Sequence, residues 1–395
     1  MRLSRWWGSS TIVPAGMTVI MLILSTGSTA ALAAQQPDVV HNRFRAPARG
    51  TPELVKEVEI GLEGPEEQAF FRPTNLFFDT DGNVYVPDGS HHSILVFDRD
   101  GNFLRRIGRE GSGPGEIMAP AMAFMSWEGE LVVPDMQSQR TTWFTKEGEF
   151  LRSEGMGGGN MIIIIGGAVG RIPTVPGEYI QPAPPVLPFV PEGIEGMDRG
   201  ESMLIDIVDE DGAVLRSFGE RWTSEDQHLA NILNQISLAW SPEGRIAVAP
   251  RFFDEIHVYG AASGEPELVF NRGLAFNPVE PSADLQQERS PDGGEVRVSL
   301  AVSADPISID VAFDPAGRIW VLTYLVDQAE REEREEEGEF EELIRLEVFS
   351  ASGELLAAIP LAEPATRIRF TPSGDLWLLD TDYVTSARRY SVIWP

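Results

Sequence analysis

Residues 75–108 read NLFFDTDGNVYVPDGSHHSILVFDRDGNFLRRIG, and residues 121–155 read AMAFMSWEGELVVPDMQSQRTTWFTKEGEFLRSEG. Each stretch holds an apolar segment, an acidic-Gly turn and a segment ending Val-Pro-Asp. A loop, a third segment, a second acidic-Gly turn and a fourth segment follow. Gly82 to Gly129 is 47 residues, and Gly101 to Gly148 is also 47, so two independent turns keep one register. Apolar residues alternate around these turns, which is the period of a strand. The glycines supply the positive φ of a tight hairpin.

The unit recurs downstream. Ser237–Gly273 turns at Glu243-Gly244 and Ser263-Gly264. Ser308–Leu361 turns at Ala316-Gly317 and Ser352-Gly353. Arg367–Pro395 turns at Ser373-Gly374 and adds one more strand. Met161–Gly219 is the least regular copy, but MLIDIVDEDGAVLRSFG within it is a hairpin turning at Asp211-Gly212. Six units of four short strands predict an all-β chain, a six-bladed β-propeller of four-stranded antiparallel blades. The last unit lacks its fourth strand. Residues 55–61, VKEVEIG, alternate like a fourth strand, and the GLEGPEEQAFFRP that begins at Gly61 matches the GREGSGPGEIMAP leaving the first unit. The N-terminal strand is therefore expected to complete the last blade and hide its edge.

IGREGSGPGEIMAP, followed by a strand, an acidic-Gly turn and Val-Val-Pro-Asp, resembles the NHL repeat. The chain is also similar to six-bladed propellers exported by many bacteria. The likeness is clearest over 55–155, looser over 201–273 and 306–395, and faint over 156–200. It implies the fold. For function it implies only a range, since such propellers serve as binding scaffolds, lactonases and lyases.

Composition narrows that range. The chain has 395 residues, with 42% hydrophobic and 23% charged, which suits a globular protein. Its 61 acidic against 31 basic residues give a net charge of −30, which argues against nucleic acid and an anionic membrane as partners. The absence of cysteine excludes disulfides, thiolate metal sites and a cysteine nucleophile. Arg2 and Arg5, the apolar Ile12–Leu24 and the small-x-small Ala31-Leu32-Ala33 read as an export signal. The expected organisation is a signal over 1–34, a flexible leader over 35–53 and the propeller over 54–395. The expected location is the periplasm or the extracellular space. After signal cleavage no membrane contact is expected, and the chain is expected to be a monomer.

In a propeller, second-to-third turns and blade links share one face. The opposite turns are read here as mostly two-residue, tight and Gly-containing. All the large insertions fall on the first face: 183–200, which is Pro-rich and apolar, the blade link 274–305, and 327–343. The last holds ten acidic residues and two arginines and reads as a solvated helix or disordered tip. Such a face is where scaffolds place function.

Second-strand ends on that face bring Asp88, Asp135, Gln181, Arg251, Thr323 and Asp380 toward the central channel. They could ring a ligand, although Asp here also suits tying down its own turn. Arg251 is the one base among them and is followed by Phe252 and Phe253. Arg72 and Asn75 enter the first inner strand from the same face. His91 and His92 follow Asp88 and are the candidate metal ligands, but no partner set accompanies them: His41 falls in the leader, His228 in a blade link and His257 inside a strand. NHL-type lyases hold zinc by histidines of several blades, and that pattern is not evident here. Glu63-Gly64-Pro65 resembles the Glu-Gly-Pro of calcium-dependent lactonase propellers, yet it sits in a blade link rather than opening an inner strand. Calcium is the one cofactor left open. No Gly-x-Ser-x-Gly, Gly-x-x-x-x-Gly-Lys or His-Glu-x-x-His occurs.

The leading expectation is a non-catalytic module that binds a protein, peptide or saccharide through its insertion-bearing face. The alternative is a metal-dependent hydrolase or lyase with its site at the channel mouth.

Overall fold

Val84, Val86 and Tyr85 show how one strand serves two interfaces. In the computed structural model Val84 and Val86 pack toward the last blade, while Tyr85 between them packs toward the second. Ile246 and Val248 face the third blade and Ala247 and Ala249 face the fifth in the same way. Period-two alternation thus places every second strand inside two hydrophobic layers, and these strands are buried along almost their whole length.

The structure describes residues 37–43, 50–62, 64–120, 123–135, 137–155, 171–184, 203–210, 212–289, 296–340 and 342–395. Six four-stranded antiparallel sheets form the ring, at 77–107, 124–155, 172–218, 236–271, 308–360 and 367–393. Strand Glu53–Ile60 pairs antiparallel with Ser386–Ile393 and is the fourth strand of the sixth blade. Six hydrophobic clusters each draw on two neighbouring blades. The one joining Ile60, Trp377 and Leu379 to Leu76 and Val86 closes the circle. At about 25 cal/mol per Å² of apolar surface buried, these seams are the main favourable term holding the ring.

Arginines stitch the same seams. Arg105 donates to the Lys146 carbonyl at 2.6 Å, Arg216 to that of Ala261 at 3.2 Å and Arg245 to that of Ala351 at 3.1 Å. Each acceptor lies in the third-to-fourth turn of the next blade. Between blades 4 and 5, Arg272 is fully buried, donates to Ser308 Oγ at 3.0 Å and lies 3.6 Å from Glu347, which also pairs with Arg345.

Three features differ from the sequence reading. Most of the described hairpin turns hold three residues rather than two: Gly82 N–H donates to Asp79 O and Asp79 N–H to Asn83 O, a type I turn followed by a glycine bulge, while the turn at 261–264 holds four. Within the expected leader, Val39–His41 pairs parallel with the edge of blade 4. Asn42 then bonds Asn271, Gly353 and Leu355, tying blades 4 and 5 together. The link 274–305 contains a hairpin, Ser282–Arg289 with Val296–Ser303. The expected signal and most of the 183–200 insertion lie outside the described residues.

Candidate functional site

First strands begin, and second strands end, on the face that carries the insertions. Asp88 and Asp380 are fully buried there, and Asp135 nearly so. Asp88 Oδ2 accepts from the amides of Phe71 and Arg72 at 2.8 and 3.1 Å, and its Oδ1 from those of Ser90 and His91 at 2.9 and 3.1 Å. Asp135 accepts from Met118 at 2.7 Å and from Gln137 and Ser138. Asp380 accepts from Asp382, Tyr383 and Val384. Each carboxylate holds its own loop, and the first two also hold the incoming blade link. Burial pushes the Asp380 carboxyl upward, against the pull of its amide bonds.

The other candidates divide. Thr323 Oγ1 donates to the Ile307 carbonyl at 2.7 Å, and Gln181 Oε1 accepts from Arg171 Nε at 3.3 Å. The exposed Arg72 uses its backbone on Asp88 and Gly89. Asn75 Oδ1 accepts from Arg369 at 2.9 Å, and Arg369 also pairs with Asp310 at 2.6 Å, a chain running from blade 5 through blade 6 to blade 1. His91 Nε2 lies 2.8 Å from the Ala69 carbonyl and His92 Nδ1 lies 2.6 Å from that of Met118. The two imidazoles thus pack on different blade links. Among the described residues no three of His, Asp and Glu gather as a metal-holding group. Glu63 lies outside the described residues.

Arg251 stands where the candidates meet a cavity. It has a volume of about 60 Å³ and opens between the innermost strands of blades 4, 5 and 6. Ser237, Arg251, Tyr324, Thr366, Arg367 and Asp382 bound it. That is room for a carboxylate-sized group or a few waters. Beside it stands the helix Gln328–Glu336, formed from the acidic insertion and capped by Asp327. Arg331 stacks on the Tyr324 ring at 4.3 Å, Glu335 accepts from Tyr383 at 2.5 Å, and Phe340 packs on Tyr383. The insertion is therefore helical, as one of the two sequence readings has it, and is docked at the rim of the mouth.

Sequence reasoning missed Arg367, Arg369, Tyr324 and Asp310. A signal existed for two of them. In Arg367–Phe370, RIRF, two arginines alternate with apolar residues, and a strand puts both on one side.

Residues 57–154 match a family model described as a 6-bladed beta-propeller. A comparison with curated proteins gives no match. Among solved structures, the chain is similar to a DUF4221-family protein from Bacteroides vulgatus, with 12% identity and a TM-score of 0.53 over 88% of this chain and 100% of that one. A candidate exported protein from Bacteroides fragilis gives 10% identity and a TM-score of 0.52, over 90% and 99% of the two chains. A gluconolactonase from Xanthomonas campestris gives 12% identity and a TM-score of 0.45, over 92% and 99%. At these identities the first two show the fold alone. The chain is a six-bladed β-propeller.

Proposed function

We infer that the protein is an exported, NHL-like recognition propeller. It holds a protein, peptide or saccharide at the mouth on its insertion-bearing face and releases it unchanged. The observation that carries this reading is the fate of the three strand-end carboxylates. Asp88, Asp135 and Asp380 spend their lone pairs on backbone amides, so they serve the loops rather than a metal or a proton transfer. What remains turned toward the mouth is a polar pocket with Arg251 in its wall. Export rests on the basic start at Arg2 and Arg5 and the apolar run after it. No helix among the described residues is long and apolar enough to cross a membrane.

Peptide and glycan arrays probed with the purified protein test the reading. The expected result is a captured species that is recovered with unchanged mass, and whose capture Arg251→Glu reduces at least about tenfold, as for a central anchor. Conversion of that species to a product of new mass would overturn it.

A further inference from the structure

Two guanidinium groups line the cavity, and among the described residues neither forms an ion pair with a carboxylate. Arg367 donates one N–H to the carbonyl of its neighbour Thr366 at 2.7 Å, and its Nε is closed off from solvent with no acceptor among the described residues. Arg251 has a ring contact with Phe252 at 5.9 Å, and among the described residues its guanidinium has no carboxylate partner. Arg369 is different, because Asp310 and Asn75 hold it. Asp382 also faces the cavity and takes a hydrogen bond from the Thr381 hydroxyl at 2.7 Å. At the rim, Arg331 and Glu335 pair with each other at 3.3 Å. Among the residues that line the cavity, Arg251 and Arg367 stand against Asp382, and one positive charge is left over. Burial presses Arg367 toward its neutral form. Arg369 and Arg251 press the same way, while Asp310 and Asp382 oppose them. This is a costly arrangement unless an anion completes it.

We propose that the cavity holds a carboxylate of the ligand, gripped between Arg251 and Arg367. One unbalanced positive charge matches one carboxylate. Guanidinium groups suit a planar carboxylate because they donate in pairs. The cavity volume of about 60 Å³ admits that group and leaves the body of the ligand above the mouth. A phosphate dianion would exceed the local charge. Polyanions meet the acidic helix at the rim and a chain of net charge −30. The proposal rests on the mouth being the ligand site, but not on whether the ligand is turned over.

Calorimetric titration of the full chain with N-acetylglycine, its methylamide and inorganic phosphate tests this. The acid should bind with millimolar affinity and the methylamide should not. Arg251→Gln and Arg367→Gln should each weaken the acid about tenfold or more, the loss expected for a charge-assisted hydrogen bond. Equal binding of acid and methylamide, tighter binding of phosphate, no binding of the acid, or unchanged affinity in the variants would each overturn the proposal. If Arg367→Gln fails to fold, the partly exposed Arg251 decides the matter. Turnover of a captured ligand would instead sink the recognition reading and leave this one standing.

Discussion

Gly101 sits at φ 86°, and a Cβ on it would lie 2.6 Å from Val58 in the closing strand. The same approach recurs at Gly148 against Ile107, Gly264 against Phe218 and Gly353 against Phe270. Glycine in these third-to-fourth turns therefore satisfies two demands: the left-handed backbone and the close fit of one blade's turn on the outer strand of the blade before it. Gly82, in a first-to-second turn, also has positive φ but faces open space. Gly82→Ala should cost about 1–2 kcal/mol from backbone strain. Gly101→Ala should cost about 1–3 kcal/mol more from overpacking. Urea denaturation of the two variants makes the comparison, and equal losses would contradict the seam argument. His257 offers a pH test. Burial between Trp222 and Tyr259 lowers its pKa from 6.5, although Glu255 at 3.4 Å pulls the other way. A lowered folded pKa means that the unfolded chain takes up the proton first. Stability from the neutral ring is thus present above about pH 6.5 and lost as pH falls below it. His257→Gln should flatten that part of a stability–pH curve, and an unchanged slope would count against it.

The strand Glu53–Ile60 is the element on which the ring depends. Without it, Ser386–Ile393 becomes an open edge and the cluster around Ile60 and Phe70 loses a wall. Deleting residues 54–62 should lower the melting temperature by ten degrees or more, on the order of a lost strand's share of packing. Melting like the full chain would refute the closure. This element was legible in sequence because its alternation and the Gly-rich segment after it repeat those of the first blade. The strand at Val39–His41 was not legible. Three residues carry no periodic signal, and its pairing with Val269–Asn271 is made more than 200 residues away. The helix Gln328–Glu336 was half legible. Its charges predict a solvated helix or a disordered tip, and its docking depends on Tyr324 and Tyr383, which the sequence does not place beside it.

Across the whole molecule, the recurrence of strand, glycine turn and strand made the ring legible, with the 47-residue register of the first two blades as its clearest instance, because each blade repeats one local pattern. The site was less legible because its residues gain their roles from other blades. In sequence Asp88 suits either a channel ligand or the tie of its own turn, and only the amides of Phe71 and Arg72, which come from the blade link before it, show that it also holds that link. Arg369 gains its meaning only when Asp310, 59 residues away, and Asn75, 294 residues away, meet it. Arg251 could be singled out early because it is the one base in a set of equivalent positions that holds three aspartates, a glutamine and a threonine. The ring thus supplies a frame of six seams, and the mouth between blades 4, 5 and 6, where the proposed ligand site lies, breaks its symmetry. The most direct test is an experimental structure of the protein with a ligand captured from an array. The account predicts ligand density over the cavity of Arg251 and Arg367, with the strand-end carboxylates still bound to their amides. Density on the opposite face or the outer rim, or a metal held by Asp88, Asp135 or Asp380, would contradict it.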